Sequence, residues 1–174
     1  YSIWFVPSGE AYEKLSGLIS GIAEEYGAPK FVPHVSLIAD VVGEESEVVS
    51  KTEKLSSEIK PFKIKLTEAD YSDEYFKSLF IKGEESKELL DANLKAREIF
   101  SRQSDPPYEP HSSLMYGKFP EATKEQIIAK IGSSFDLTFE AKKIYLDTSG
   151  DPKEWREMRE FPLKNWQPQG ESNP

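Results

Sequence analysis

The sequence of 174 residues predicts an α+β protein. Segments with helical apolar spacing alternate along the chain with short β-branched or alternating segments, and some predicted strands follow one another directly. Such a mixture of helices with antiparallel-looking strands is typical of α+β folds. A five-residue phrase that occurs once in each half of the chain further predicts two lobes of similar plan.

The first strand and the first helix are predicted from apolar patterning. Residues 2–7 form a short apolar segment that indicates a buried strand. The segment that follows places apolar residues at helical spacing on one face, and the Gly-Ala-Pro sequence at 27–29 ends it. The residues of this face are Leu15, Leu18, Ile19, Ile22 and Tyr26.

Three strands and a second helix follow. Residues 34–42 are rich in β-branched side chains and come directly after Pro33, which predicts a strand. The charged stretch 44–59 keeps its apolar residues on one side and is predicted to be a helix. Residues 61–66 alternate with the period of a strand, and the apolar segment 75–82 predicts another strand.

The second half continues with a helix at 87–100, for which Ser86 is a suitable N-cap. Residues 102–110 contain three prolines and are predicted to be a loop. The segment 111–116 is predicted to be a strand. This strand corresponds to the predicted strand 34–42 of the first half, because each of the two carries one copy of the repeated phrase.

The last regular elements are one helix and two strands. Thr123 and Gln126 have the spacing of a capping box, which predicts a helix that runs through Ile131 and ends at a glycine. Residues 135–139 alternate cleanly, and 142–147 are expected to continue that strand or to pair with it.

The C-terminal region is less regular. Trp155, Met158 and Phe161 are spaced three apart, which suits a helix better than a strand. We expect a single bilobal domain over residues 1–163 and a mobile tail over 164–174.

Composition limits the classes of function. The chain has no cysteine, which excludes disulfides and thiolate metal sites, and two histidines leave little for a zinc site. We therefore expect neither a metal nor a cofactor. The net charge of −9 disfavours long nucleic acids as partners, because their binding depends on Lys and Arg. No apolar run is long enough for a transmembrane helix and no signal peptide is visible, so we expect a cytoplasmic monomer that contacts no membrane.

Both histidines lie in the same phrase, Pro-His-x-Ser-Leu, at 33–37 and 110–114. The two copies align His34 with His111 and Ser36 with Ser113, and an aromatic residue leads each copy. One His-x-Ser segment alone is most simply structural. A repeat that uses every histidine of the chain favours a functional site.

Strand geometry indicates what the two phrases could do. Residues i and i+2 of a strand point to the same face, so each histidine shares a face with its serine. If the lobes face each other, two imidazoles and two hydroxyls meet across a cleft. Opening a cyclic phosphate requires a base for water, an acid for the leaving oxygen and donors for the phosphoryl oxygens. His34 and His111 are the candidate acid–base pair, with the order of their roles left open, and Ser36 and Ser113 are the candidate donors.

The tandem motifs resemble those of the 2H phosphoesterase superfamily, and among them the plant and yeast cyclic phosphodiesterases. The opening Tyr1-Ser2-Ile3-Trp4, the sequence Phe-Val-Pro-His-Val at 31–35 and Tyr116 strengthen the likeness, and Trp155 could match a tryptophan of the family's C-terminal strand. The resemblance spans most of residues 1–163.

The resemblance implies a bilobal fold with a pseudo-twofold axis, in which antiparallel sheets line a central groove and helices lie outside. It implies hydrolysis of ADP-ribose 1″,2″-cyclic phosphate to the 1″-phosphate and of nucleoside 2′,3′-cyclic phosphates to 2′-phosphates. By the motif match, the two histidines become the acid–base pair and the two serines bind the phosphate.

The resemblance also implies that aromatic residues border the groove and stack on a base. Trp4 and Tyr116 match such positions, although both could equally be core residues. Phe76 is a further candidate, for which core packing is the simpler interpretation. Lys77 could lie near the phosphate, but an ordinary solvated lysine is the simpler interpretation.

Three rival functions remain. A 2H relative could process RNA ends or act as a 2′-5′ RNA ligase, although the negative charge of the chain argues against a long polymer. A non-catalytic module could use the same four side chains only to hold a phosphate. A structural protein with accidental histidines is the least favoured. A serine nucleophile is a different mechanism rather than a fourth function, and it is disfavoured because no carboxylate is visibly placed to orient the histidine.

Overall fold

The computed structural model describes residues 1–148 and 159–167. In these residues eight strands form one antiparallel sheet, accompanied by four α-helices, so the predicted α+β class is confirmed. The strands are β1 (Ser2–Phe5), β2 (Val35–Ile38), β3 (Phe62–Tyr71), β4 (Leu79–Gly83), β5 (His111–Met115), β6 (Ser134–Ala141), β7 (Lys143–Asp147) and β8 (Arg159–Pro162). The helices are α1 (Gly9–Tyr26), α2 (Glu45–Glu58), α3 (Lys87–Ile99) and α4 (Glu121–Ile131), and a 3-10 turn covers Tyr75–Lys77.

The order of the strands divides the sheet into two similar halves. The order is β6-β3-β4-β5-β2-β1-β7-β8, so β2 and β5, which carry the repeated phrase, are neighbours at the centre. Helices α2 and α3 contact the half that contains β2, whereas α1 and α4 contact the half that contains β5. Each half of the described structure therefore has four strands and two helices, as the predicted two-lobed plan requires.

The sheet must curve strongly. Only Lys142 separates β6 from β7, although these strands occupy the first and the seventh positions in the sheet. Six steps between neighbouring strands would span roughly 29 Å in a flat sheet. Two residues of extended chain reach only about 7 Å, so the two ends of the sheet must approach each other.

Alternation along the central strands separates the core from the other face. Val35 and Leu37 of β2 are 0% and 1% exposed and belong to a continuous hydrophobic core, which also receives Leu114 of β5. Side chains at the intervening positions point to the opposite face. His34 and Ser36 flank Val35 at these intervening positions, and they are thereby excluded from the core face.

Two elements differ from the sequence prediction near the centre of the sheet. The predicted strand 75–82 begins with a 3-10 turn, in which Lys77 N donates to Glu74 O at 3.2 Å, and strand pairing starts only at Leu79. Strand β2 ends at Ile38 instead of continuing to residue 42. The chain leaves the strand here, and Asp40 has a positive φ of 54°.

The predicted capping box is wrong. Helix α4 begins at Glu121 after Pro120, and Thr123 lies inside its first turn rather than at the cap. The first-turn amides of Thr123 and Lys124 donate to Pro120 O at 3.0 and 3.3 Å. Pro120 occupies the N-cap with an extended ψ of 146°, and its side chain offers no oxygen, so backbone carbonyl contacts rather than a side-chain cap begin the helix.

The C-terminal predictions are partly corrected. Phe161 lies in β8 rather than in a helix, because its side chain packs into the core at 7% exposure while β8 pairs with β7. Trp155 and Met158 lie outside the described residues. Strand β7 continues the chain of β6 after Lys142 alone, which agrees with the first alternative, and it pairs with β1 and β8 rather than with β6. Within the predicted tail, Lys164 N donates to Ile59 O at 2.8 Å, and residues 168–174 lie outside the described part.

Candidate active site

The register between β2 and β5 brings the two phrases together. Val35 is the antiparallel partner of Ser112. In an antiparallel pair this register sets His34 opposite Ser113 and Ser36 opposite His111, all on one face of the sheet. Val35 and Ser112 point to the other face and are fully buried at 0% exposure. The pair Val35–Ser112 thus lies at the centre of an approximate twofold relation between the two halves.

All seven site residues predicted from the sequence line one cleft over this face. The cleft has a volume of about 230 Å³. Its walls also include polar and charged residues that the sequence did not single out as site residues. The lining residues are Ser2, Trp4, His34, Ser36, Ala39, Asp40, Glu74, Phe76, Lys77, His111, Ser113 and Tyr116.

Each imidazole is held by the carbonyl two residues before it. His34 Nδ1 lies 2.7 Å from Val32 O, and His111 Nδ1 lies 2.8 Å from Glu109 O. A carbonyl can only accept, so Nδ1 carries the hydrogen and Nε2 holds the lone pair in the neutral ring. In both phrases the intervening residue is a proline, whose restricted φ limits the direction of the preceding carbonyl. This is a physical reason for the proline in the repeated phrase.

His34 is the more enclosed of the two histidines. The residue is 7% exposed, and its ring stacks on Trp4 with 3.8 Å between the centroids. Burial lowers the pKa of His34 from 6.5 to about 4, because the charged imidazolium loses its hydration. His34 is therefore neutral at pH 7.

His111 has a different environment. It is only partly buried, and Phe80 meets its ring edge-on at 5.4 Å. Burial lowers the pKa of His111 as well, and the positive charge of Lys77 lowers it further, while Glu74 and Glu109 act in the opposite direction. The two histidines are thus related by the fold but are not equivalent electrostatically.

The two serines also differ. Ser113 Oγ donates to Phe76 O at 2.7 Å, which ties β5 to the 3-10 turn. In the described residues, no protein group is hydrogen-bonded to Ser36 Oγ, while Ser36 O accepts from the hydroxyl of Tyr108 at 2.6 Å. Ser36 Oγ can therefore donate to a ligand without breaking a hydrogen bond. Ser113 Oγ must first give up its hydrogen bond to Phe76 O.

The predicted aromatic residues line the cleft in two ways. Trp4 and Tyr116 are each 3% exposed, so they form walls that are continuous with the interior. Phe76 is 48% exposed and meets the Tyr116 ring edge-on at 5.1 Å, so the expectation of core packing for Phe76 is wrong. The 3-10 turn, which replaces the predicted strand here, exposes Phe76 at the rim.

Sequence reasoning missed Phe80 at the site. Phe80 is the strand partner of Ser113, as Trp4 is of Ser36, so the two residues occupy equivalent positions beside the two histidines. One signal in the sequence could have indicated Phe80. An aromatic residue lies on the strand next to the first motif, so a second one was to be expected on the strand next to the second motif. This signal was obscured because 75–82 was predicted as one continuous strand.

Two other features bear on the kind of site this chain can hold. Among residues 1–148 and 159–167, no three His, Cys, Asp or Glu side chains come together in a group that could hold a metal ion. In the same residues, no helix has the length and apolar character needed to cross a membrane.

Comparison with known proteins gives consistent results. A family model described as "Cyclic phosphodiesterase-like protein" matches residues 1–171. A cyclic phosphodiesterase of Arabidopsis thaliana is 25% identical over 150 residues, which cover 84% of this chain and 83% of that protein.

Two solved structures have a similar fold. The protein TT0787 of Thermus thermophilus has a TM-score of 0.65 at 18% identity, and the match covers 94% of this chain and 98% of that one. LigT of E. coli, solved in complex with 3′-AMP, has a TM-score of 0.59 at 15% identity, covering 95% and 96%. At these identities the structural matches describe the fold alone.

Proposed function

Because the chain belongs to the cyclic phosphodiesterase-like family of the 2H phosphoesterases, we propose that it hydrolyses small cyclic phosphates at the cleft between its two His-x-Ser phrases. The substrates are ADP-ribose 1″,2″-cyclic phosphate, which yields the 1″-phosphate, and nucleoside 2′,3′-cyclic phosphates, which yield 2′-phosphates. The observation that carries this proposal is the pairing of β2 with β5, which places two imidazoles and two hydroxyls on one face.

The two histidines divide the proton transfers. We assign His34 as the base, because its buried, neutral ring has a lone pair on Nε2 that can accept a proton from the attacking water. We assign His111 as the acid, because it is less enclosed than His34, and because Glu74 and Glu109 partly offset the burial and the Lys77 charge that lower its pKa. Water attacks phosphorus, the bond from phosphorus to the 3′ oxygen breaks, and His111 protonates that oxygen.

The hydroxyls of Ser36 and Ser113 donate to the non-bridging phosphoryl oxygens, which become more negative in the transition state. A hydrogen bond to a charged group contributes about 1.5–3 kcal/mol. We expect Ser36→Ala to lower kcat/KM by about ten- to a hundredfold, since its hydroxyl has no competing protein acceptor among the described residues. Steady-state kinetics of 2′,3′-cyclic AMP hydrolysis measure this effect.

Ser113→Ala is the matched variant. Its hydroxyl must first leave Phe76 O, so its net contribution is expected to be smaller than that of Ser36. Loss of the contact to Phe76 should also destabilise the 3-10 turn slightly. An equal or larger loss in Ser113→Ala, at unchanged thermal stability, would contradict this ranking.

The aromatic residues are proposed to bind the base of the substrate. Trp4 and Tyr116 form apolar walls beside the histidines, and Phe76 offers an exposed ring at the rim. Stacking tolerates any base, because every base has a π-face. This arrangement fits a nucleotide-like substrate whose phosphate lies at the four motif side chains.

Metal-free hydrolysis is the direct test of the proposed function. We expect 2′,3′-cyclic AMP to be hydrolysed at an undiminished rate in excess EDTA, because both proton transfers are assigned to imidazoles. Chromatography should identify the product as the 2′-phosphate. Activity that EDTA abolishes and a divalent cation restores would overturn the mechanism. A 3′-phosphate product would show that the bond from phosphorus to the 2′ oxygen breaks, which contradicts the proposed cleavage.

RNA ends are the second candidate substrate. A groove leads away from the cleft past Ser36 and His111 and is lined by Arg97 and Arg102, so a longer chain has a path with positive charge. The same groove also contains acidic residues, which disfavour further phosphates; they are Asp40, Glu74, Asp105 and Glu109. Faster turnover of an oligonucleotide with a 2′,3′-cyclic end than of 2′,3′-cyclic AMP would favour this candidate.

A non-catalytic phosphate-binding module is the remaining alternative. Binding of either substrate without turnover would favour it.

A further inference from the structure

Lys77 occupies an unusual position for a lysine. Its side chain is only 15% exposed, so the expectation of an ordinary solvated lysine is wrong. Among the described residues that line the catalytic cleft, Lys77 is the single lysine or arginine. It belongs to the 3-10 turn that also carries Phe76, directly beside the second histidine phrase.

Several contacts fix the place of this ammonium group. Lys77 Nζ lies 2.6 Å from the Glu109 carboxylate and 4.8 Å from the centroid of the Phe80 ring. The backbone of Lys77 is held as well, because its carbonyl accepts from Ser72 Oγ at 2.6 Å. A cation that is already positioned loses less conformational entropy when it binds a ligand than a free lysine does.

Glu109 connects Lys77 to His111. Its carboxylate holds Lys77, and its backbone carbonyl accepts the hydrogen bond from His111 Nδ1 at 2.8 Å. One residue therefore sets the position of the imidazole and the position of the cation. Phe80 contacts both as well, so Lys77, Phe80 and His111 form one unit at the edge of the cleft.

The charge in the cleft gives Lys77 a function. With His34 neutral, the formal charges on the lining residues are the carboxylates of Asp40 and Glu74, the ammonium of Lys77 and the proton that the proposed mechanism places on His111. A cyclic phosphate brings one negative charge, and the transition state brings more. The serine hydroxyls can donate hydrogen bonds but cannot neutralise charge. His111 gives up its proton to the leaving oxygen, so Lys77 is the one cation on the described lining that keeps its charge through the reaction.

We propose that Lys77 is a further phosphate-binding residue of this site, which neutralises charge on the phosphoryl oxygens while Glu109 holds it in place. The inference rests on the proposed function, because it assigns the phosphate to the same cleft. It adds a cation to a site whose recognised motifs supply only histidines and serines.

The role of Lys77 is tested by measuring binding and turnover separately. The binding probe is adenosine 2′-monophosphate, with adenosine as the probe that lacks the phosphate, and calorimetry gives both affinities. The variants are Lys77→Met, which removes the ammonium and keeps an unbranched side chain, Lys77→Arg, which keeps the positive charge, and Glu109→Gln, which keeps the backbone carbonyl that holds His111. Hydrolysis of 2′,3′-cyclic AMP is measured on the same preparations.

We expect Lys77→Met to weaken adenosine 2′-monophosphate binding and to lower kcat/KM by about ten- to a hundredfold each, with adenosine binding unchanged. Lys77→Arg should restore most of both. Glu109→Gln should weaken phosphate affinity less than Lys77→Met, because the ammonium remains and the glutamine amide oxygen can still accept from it. A purely structural role for Lys77 would weaken both probes together and would not be rescued by arginine.

An NMR titration of His111 supplies an independent readout. The charged groups around this ring are Lys77 and Glu74 from the turn, Glu109 from the loop, Lys82 opposite on β4 and His34 across the cleft. Removing a nearby cation favours the imidazolium, so the pKa of His111 should rise in Lys77→Met. Removing a nearby carboxylate should lower it in Glu109→Gln.

The outcomes separate this inference from the proposed function. Wild-type protein that binds adenosine 2′-monophosphate but hydrolyses no cyclic phosphate would overturn the function, while the variants still decide the role of Lys77. Unchanged phosphate affinity in Lys77→Met would overturn the inference, whatever the turnover. Wild-type protein that binds neither adenosine 2′-monophosphate nor inorganic phosphate would overturn both.

Discussion

Replacement of either His34 or His111 with alanine is expected to lower kcat for 2′,3′-cyclic AMP hydrolysis by about a hundredfold or more. In the proposed mechanism each imidazole transfers one proton in the transition state, and such a transfer contributes roughly 10²- to 10⁴-fold. The chain has no other histidine that could substitute for either one. Steady-state kinetics of the purified variants, over a range of substrate concentration, measure the effect.

Asparagine variants provide the matched control for these histidines. An asparagine amide can still donate to the carbonyl that holds Nδ1, at 2.7 Å for His34 and 2.8 Å for His111, but it cannot transfer a proton near neutrality. His34→Asn and His111→Asn should therefore stay folded and lose as much activity as the alanine variants. A single variant that keeps more than about a tenth of wild-type kcat would refute the acid–base pair.

The folded protein is also expected to lose stability between pH 7 and pH 5 because of His34. Burial lowers the pKa of His34 to about 4 in the folded state, whereas an unfolded histidine titrates near 6.5. Below pH 6.5 the unfolded chain takes up the proton first, so stability is lost as the pH falls from 6.5 towards 4. For a shift of this size, the loss at pH 5 is about 2 kcal/mol.

Urea unfolding at pH 7 and pH 5 isolates this contribution. His34→Asn lacks the titrating group, so the difference in unfolding free energy between wild type and variant should shrink by about 2 kcal/mol at the lower pH. His111→Asn should show a smaller change, because His111 is partly exposed. A wild-type advantage over His34→Asn that is the same at both pH values would show that His34 is not held neutral by burial.

The sequence predicted the meeting of the two phrases because two regularities coincide. A strand repeats every second residue, and the Pro-His-x-Ser-Leu phrase repeats in each half, so a shared face could be expected without a structure. The register of the two strands could not be expected from the sequence, since nothing in either phrase specifies that Val35 pairs with Ser112. The pairing is set by the whole sheet and by the core on its other face.

Two kinds of feature could not be predicted from the sequence. The first depends on contacts between distant segments, and the second depends on local hydrogen bonds that override an apolar strand pattern. The low pKa of His34 depends on burial beneath β1 side chains such as Trp4, 30 residues away in the chain. The exposure of Phe76 depends on a turn closed by Lys77 N and Glu74 O, within a segment whose apolar residues indicate a strand. Apolar patterning carries no information about such contacts.

The pairing of β2 with β5 has a consequence for assembly of the protein. The two His-x-Ser phrases are 77 residues apart, and they meet only where the two halves of the sheet join. Contacts between residues so distant in the chain form slowly, because a large loop must close first. Helices and locally paired strands such as β3 and β4 can form early, but neither half contains a complete site. The half that contains β2 itself requires the pairing of Trp4 with Tyr145, which are 141 residues apart. The appearance of enzymatic activity during refolding therefore marks completion of the whole sheet.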